Sequence, residues 1–330
     1  MKAIYPAGSD NVGDELNRWL WPALLGDLSP EGTDGAVLLG IGTLLNREFC
    51  LRLDGAHRIN VLGTGAGYGL PPLPDERWHY YAVRGPRSAK AMGLPSEQAV
   101  ADAAYLLATL DWASWAPASA AGKIVVVPHH RSLRLVDWSV ICERAGLTFL
   151  SPLLPAELFM RELASADLVL AEAMHGAILA DILRVPWVPF SFGGQFNPDK
   201  WYDWAEAFAV SLQVTELAGF YETARFAETK GMLQHGGQWL KVKLHRRGIG
   251  KRKWRTLTPP GWPFKRAEAG LVEALRKLST RSGQLTEEHI FRSRVAQLYR
   301  CVNQLRRDHG GRDCQPLSGN PQAFFSRYGG

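Results

Sequence analysis

Cysteine is scarce in this sequence: Cys50, Cys142, Cys301 and Cys314 are the four in 330 residues. None forms a CxxC pair or a metal-ligand spacing, and four are too few for a disulfide framework at this length. The expectation is reduced thiols in a cytosolic protein. Long apolar runs are missing too. The longest nearly apolar stretch, Gly35 to Leu45, falls far short of the ~20 residues that a membrane span needs. The opening MKAIYPAGSDN lacks the apolar core of a signal peptide. Neither secretion by the usual signal nor bilayer crossing is expected. There is also no internal repeat and no low-complexity tract.

What is present suits a globular chain of about two domains: 46% hydrophobic residues, and 38 Lys and Arg against 32 Asp and Glu, for a net +6. The excess is local. Between Lys241 and Thr256, KVKLHRRGIGKRKWRT carries +8 and no acidic residue, so the rest of the chain is close to −2. Twelve tryptophans are also present. They suit sugar platforms or core packing, and packing is the favoured reading.

Short apolar segments alternate with helical patterns through the first two-thirds. Strands are predicted at Lys2–Tyr5, Ala36–Gly40, Ile59–Gly63 and Tyr80–Val83, with helices from Asp14 to Leu25 and from Pro86 to Gly93. A second series starts at Lys123–Val127. It continues with a helix at Asp137–Ala145, a strand at Thr148–Leu150, a helix at Pro155–Ala164, a strand at Leu168–Leu170, a helix from Gly176 to Leu183 and a strand at Trp187–Phe190. This alternation predicts right-handed βαβ units and doubly wound parallel sheets. Asp111–Gly122 has linker composition between the series. From Phe264 the tail reads helical, including Thr286–Arg307 with Thr286 as a candidate cap. The division expected is 1–115, an N-terminal Rossmann-like domain; 123–240, a C-terminal one that carries His175; and 241–330, the basic segment and helical tail.

Ligands of doubly wound sheets bind at the carboxyl ends of strands, so the loops there are the candidate site. The first loop, Gly8 to Asp14, includes Asn11 and Gly13 and leads into a helix. It suits either an anion at the helix N-terminus or a plain turn capped by Asp14. Gly40-Ile41-Gly42-Thr43 and Gly63-Thr64-Gly65-Ala66-Gly67 follow the next strands and predict a backbone-lined cleft. None of these loops carries a Walker lysine, and the first is not a G-x-G-x-x-G fingerprint, which disfavours nucleotide hydrolysis and a simple NAD site. Arg84 and Arg87, beside the helix start at Pro86, are candidate ligands for a phosphate or carboxylate, with a surface role the favoured alternative for Arg87. His130 and Arg131 follow the KIVVV strand. Adjacent histidines on an extended segment point opposite ways, which favours anion contact over metal. The most informative segment is LVLAEAMHGAI, residues 168–178. A buried strand ends in Glu172 and His175, and Gly176 opens a helix. Histidine there can give up a proton near neutral pH, although a packed structural role is the ordinary alternative.

These residues, namely NVGDELN at 11–17, the Gly40 and Gly63 loops, RGPRS at 84–88, ADAA at 101–104, EAMHGA at 172–177 and KWYDW at 200–204, resemble the polysaccharide pyruvyl transferase family, in particular ketal-pyruvate transferases of the succinoglycan type. The resemblance covers most of Met1–Trp204. It implies a glycosyltransferase-B-type α/β fold, with two domains facing across a cleft. It also implies transfer of pyruvate from phosphoenolpyruvate, the donor substrate, onto a sugar as a ketal, without cofactor or metal. His175 is then the expected general acid, and Glu172 or Asp14 the group that orients it or deprotonates the acceptor. Many members carry an arginine two residues before this histidine; Ala173 stands there, which leaves Arg84 and Arg131 as candidates for the donor. The acceptor implied is a lipid-linked oligosaccharide at the inner face of the cytoplasmic membrane. Lys241–Arg255 suits anionic headgroups there, ahead of a solvated loop or nucleic acid. The competing functions are a glycosyltransferase with a nucleotide-sugar donor and a non-catalytic assembly subunit.

Overall fold

The computed structural model describes residues 1–6, 11–26, 28, 35–114, 122–192, 196–217 and 262–328. Gly8 and the Lys241–Arg255 run lie outside the described residues. The first layer contains β1 (Lys2–Ala3), α1 (Val12–Glu15), α2 (Asn17–Leu25), β2 (Ala36–Leu39), α3 (Arg47–Cys50), β3 (Arg58–Leu62), β4 (Trp78–Ala82) and α4 (Pro86–Ala91). A buried 3-10 stretch, Ala103–Thr109, leads out of it.

The second layer contains β5 (Ile124–Val127), α5 (Trp138–Ala145), β6 (Thr148–Phe149), α6 (Ala156–Ala164), β7 (Leu168–Ala171), α7 (Met174–Ile182), β8 (Trp187–Ser191), α8 (Pro198–Ala207) and β9 (Thr215–Glu216). Three tail helices follow: α9 (Trp262–Ser279), α10 (Glu288–Asp308) and α11 (Pro321–Tyr328).

Among the described residues all pairings between the named strands are parallel, as the buried runs predict. The two sheets differ in winding. The second runs β6-β5-β7-β8-β9. In order of appearance that is 2-1-3-4-5, a doubly wound sheet whose direction reverses between β5 and β7. The first runs β1-β2-β3-β4 without reversal, so the doubly wound expectation fails for that half among the described residues. A sheet that grows one way has no switch point. Among the described residues the reversal, where a doubly wound sheet opens its crevice, lies beyond Val127 and Ala171, where residues 129–131 and 172–175 emerge.

Local chemistry accounts for several helix ends. Asp137 caps α5 by accepting from the backbone N–H of Ser139 and Val140, and Gly146, at φ +74°, ends it in the left-handed region. Asn11, not Asp14, caps α1, accepting from Gly13 and Asp14 N–H; the helix breaks at Leu16 before α2 begins. Thr286 does not cap α10: Glu287 holds that place, and Thr286 N–H donates to the buried Asp181 Oδ1 at 2.8 Å.

The tail covers both layers. α9 packs on α5 and β7, whereas α10 crosses to β3 and β4 and α11 lies on α2. Seven of the twelve tryptophans are buried, so packing accounts for most of them. Trp187, Trp201 and Trp204 form one cluster with ring centroids 5.0–6.3 Å apart.

Helix α8 has no counterpart among the predicted elements. Its start is nonetheless written in the chain: Asn197 accepts from Asp199 and Lys200 N–H, and Pro198 stands in the first turn. Trp201 and Trp204, three apart, bury one face against Trp187, while Lys200 and Asp203, also three apart, reach the first layer. Among the described residues no helix is long and apolar enough to cross a membrane.

Candidate active site

The loops after β5 and β7 meet α1 and α8 at the reversal of the second sheet. α7 opens at Met174, two residues before the expected Gly176, so His175 lies in its first turn. Gly176 lets that helix approach β5: a methyl added there would stand 2.9 Å from Val127 Cγ1. The imidazole lies directly over Gly13, where a methyl would overlap the ring. Gly13→Ala is therefore expected to displace the ring and lower turnover at least about tenfold, since small misplacements of reacting groups cost orders of magnitude. Steady-state assay beside a melting curve checks this.

His175 keeps 13% of its side chain exposed and faces fully buried Asp102, with Nε2 3.8 Å from Oδ2. That is too long for a hydrogen bond, and neither atom has a hydrogen-bond partner. Asp102 Oδ1 meanwhile accepts from Ala104 N–H at 3.0 Å. Burial, then the charges of Lys200 and Arg84, lower the His175 pKa to about 3. The positive end of α7 acts in the same direction. Burial raises the Asp102 carboxyl to about 7 against the opposing Arg84. The resting imidazole is thus held neutral.

Glu172 does not orient His175. Its Oε2 accepts from His129 N–H at 2.8 Å, and Oε1 accepts from Ser132 Oγ at 2.8 Å and Phe192 N–H at 3.2 Å. The carboxyl joins the ends of β5, β7 and β8, and burial raises its pKa to about 7. The unpaired neighbour of the imidazole is Asp102. Asp14 is closer to its expected place: Oδ2 accepts from Asn11 Nδ2 at 2.6 Å, and its charge bears on Asp102.

Arg84 has another task than the one expected of it. It is fully buried, and its guanidinium donates to Asp203 Oδ2 at 2.9 Å, Thr43 Oγ1 at 2.9 Å, Ala66 O at 2.7 Å and Gly42 O at 3.4 Å. Its hydrogen-bonding capacity is nearly spent inside the protein, and only its charge reaches His175. The helix start at Pro86 is occupied as well, because Asp203 accepts from Ser88 N–H at 2.8 Å and Ser88 Oγ at 2.6 Å. The anion expected at that N-terminus is the protein's own carboxylate. Arg87 lies on the surface, paired with Glu206 and Asp199 and stacked on Tyr202.

The glycines serve the site's own side chains more than a backbone cradle. A methyl on Gly65 would strike the Arg84 guanidinium, and one on Gly42, at φ +127°, would meet Asp14 Oδ1 at 3.3 Å. The two loops also bond to each other, Gly65 N–H to Gly42 O at 3.1 Å.

His129 and His130 do not diverge; their rings lie 4.2 Å apart, tilted by 35°. His129 is buried and held neutral, down to about 2, by desolvation and then by His130, Lys200 and Arg131. Arg131 is exposed beside them, and among the described residues its guanidinium has no hydrogen-bond or ion-pair partner. It is the guanidinium at the crevice open to a ligand. No three His, Cys, Asp or Glu gather as metal ligands among the described residues.

Two more residues complete the wall. Lys200 is only 8% exposed, and its Nζ donates to Tyr68 Oη at 2.9 Å. Tyr68 follows the Gly63–Gly67 loop, whose Gly67 O accepts from Asn197 Nδ2 at 2.6 Å. Sequence reasoning assigned no role to Asp102, Lys200 or Tyr68. The Asn197-Pro198 helix start is the signal by which Lys200 could have been placed.

Comparison with known proteins adds a likeness. Residues 57–193 match the family model for polysaccharide pyruvyl transferase, a stretch that includes Arg84, Asp102, Arg131 and His175 and leaves Gly13 and Lys200 outside. Over this stretch the chain is similar to that family. A particular relative is the succinoglycan biosynthesis protein ExoV of Rhizobium meliloti (strain 1021), 38% identical over 208 residues. The alignment spans 62% of this chain and 63% of that protein, just under two thirds of its length. No solved structure matches.

Proposed function

We propose that this protein transfers the pyruvyl group of phosphoenolpyruvate onto a sugar residue as a ketal, in assembly of an exopolysaccharide of the succinoglycan type. The observation that carries the reading is that His175 Nε2 and Asp102 Oδ2 face each other without hydrogen-bond partners, under the charges of Lys200 and Arg84, in a crevice edged by the Arg131 guanidinium. Phosphoenolpyruvate brings a carboxylate and a phosphate. Its negative charge offsets the cations that keep the imidazole neutral, so the donor promotes protonation of the acid that acts on it. Asp102, buried and facing Nε2, then pairs with the imidazolium. Protonation of the methylene carbon by His175 makes C2 electrophilic; one sugar hydroxyl adds, phosphate leaves, and a second hydroxyl closes the ring.

The finer parts of the proposal are a glycosyltransferase-B-type cleft between the two sheets, a lipid-linked acceptor, and anionic headgroups held by Lys241–Arg255 at the inner membrane face. Contacts from α1 to the second layer favour a cleft built from both halves: Val12 N–H donates to Pro152 O at 3.0 Å, and Ala156 N–H to Glu15 Oε2 at 3.0 Å.

Incubation with phosphoenolpyruvate and a lipid-oligosaccharide extract is expected to release phosphate and yield pyruvylated product. Because binding raises the imidazole pKa, donor affinity should rise as pH falls toward the free-state value of about 3. Calorimetry in buffers of different ionisation enthalpy should register proton uptake. A melting shift with UDP-sugars and none with phosphoenolpyruvate would overturn the reading.

A further inference from the structure

Ketal formation requires removal of a proton from the attacking hydroxyl, and the side chains first expected to take it are occupied: Glu172 by three hydrogen bonds, Asp14 by Asn11. Another group stands at the mouth of the crevice. Lys200 is a nearly buried ammonium with no carboxylate within ion-pair distance among the described residues, and its hydrogen bond goes to a phenol. A buried charge without a counter-ion is costly and needs a reason. If the Tyr68 hydroxyl ionises, the phenolate becomes that counter-ion.

Tyr68 is 42% exposed, so a bulky acceptor can reach it, yet its hydroxyl is turned toward Lys200, whose charge also bears on His175. The Lys200 Nζ lies 5.3 Å from the centre of the Tyr68 ring.

We propose that Tyr68, activated by Lys200, is the base that deprotonates the acceptor hydroxyl, an assignment that rests on the pyruvyl transfer reading. Burial pushes the phenol pKa up. Lys200 on α8, Arg131 after β5 and Arg84 after β4 together outweigh that, and the net displacement is downward.

The protons then balance. The first hydroxyl's O–H bond breaks and its proton passes to Tyr68 Oη as the oxygen bonds to C2, while His175 delivers its proton to the methylene carbon. The bond from C2 to the phosphate oxygen next breaks with its electron pair on phosphate, which takes the proton back from Tyr68. The second hydroxyl closes on C2, and its proton recharges His175.

Tyr68→Phe tests this. Turnover is expected to fall roughly 10²–10⁴-fold, with the melting shift caused by phosphoenolpyruvate retained. A base that must ionise makes the rate rise with pH; in Tyr68→Phe that rise should disappear, and in Lys200→Met it should move to higher pH. Tyr68→Phe turnover within about twofold of wild type, or loss of its phosphoenolpyruvate shift, would show that Tyr68 is not the base. A wild-type protein that neither shifts with phosphoenolpyruvate nor releases phosphate instead overturns the underlying reading, and this assignment with it.

Discussion

Replacing His175 with alanine lowers turnover by roughly 10²–10⁴-fold and leaves the protein folded. The first half of that expectation comes from the proposed chemistry: protonating carbon is the demanding step of the transfer, and among the crevice imidazoles His175 is the one that faces a buried carboxyl oxygen without a hydrogen-bond partner. The second half comes from packing. The ring makes no hydrogen bond through Nε2 and lies over a glycine, so its removal breaks no network. Asp102→Asn completes the test. The amide keeps the shape but cannot balance an imidazolium, so turnover falls at least about tenfold. Stability holds, because a buried carboxyl with an unsatisfied oxygen has been removed. Turnover close to wild type in folded His175→Ala would leave the crevice without its acid.

Asp203→Ala is the largest expected loss of stability. The mutation strands the fully buried Arg84 guanidinium and removes the acceptor for Ser88 N–H at the start of α4. Breaking a buried ion pair from one side costs about 3–5 kcal/mol, or a melting temperature lower by on the order of 5–10 °C in a chain of this size. Arg87 gives the contrast from within the same five-residue motif. Its partners are exposed, and exposed pairs contribute about 0–1 kcal/mol, so Arg87→Ala should barely move the melting curve. Equal losses at Asp203 and Arg87 would contradict the burial difference on which the expectation rests.

The strands were legible because IVVV at 124–127 and LVLA at 168–171 are apolar on both faces, a pattern that few structures other than a covered parallel strand accommodate. His175 was legible because a polar residue just beyond such a strand lies at the rim of the sheet. Partnerships were not. Arg84 advertises a bidentate anion site in any sequence, but the carboxylate that claims it stands 119 residues away. Glu172 and His175, three apart, invited pairing; the backbone instead aims the glutamate at the strand ends and the histidine at Gly13. The glycine loops carried the same ambiguity, since close approach by a ligand and close approach by the protein's own side chain require the same missing Cβ. The winding of the first sheet was hidden because strand order is a property of connections, and the segments alone do not record it.

Helix α8 has a practical corollary for exchange between relatives. By chain order it belongs with the second sheet, yet Lys200 and Asp203 are spent on residues of the first, and α10 and α11 return to that layer too. A chimera spliced at the stretch between the sheets would bring together halves whose mutual fittings come from different parents. One that is meant to swap acceptor preference should carry residues 196–208 and the two last helices along with the amino-terminal sheet.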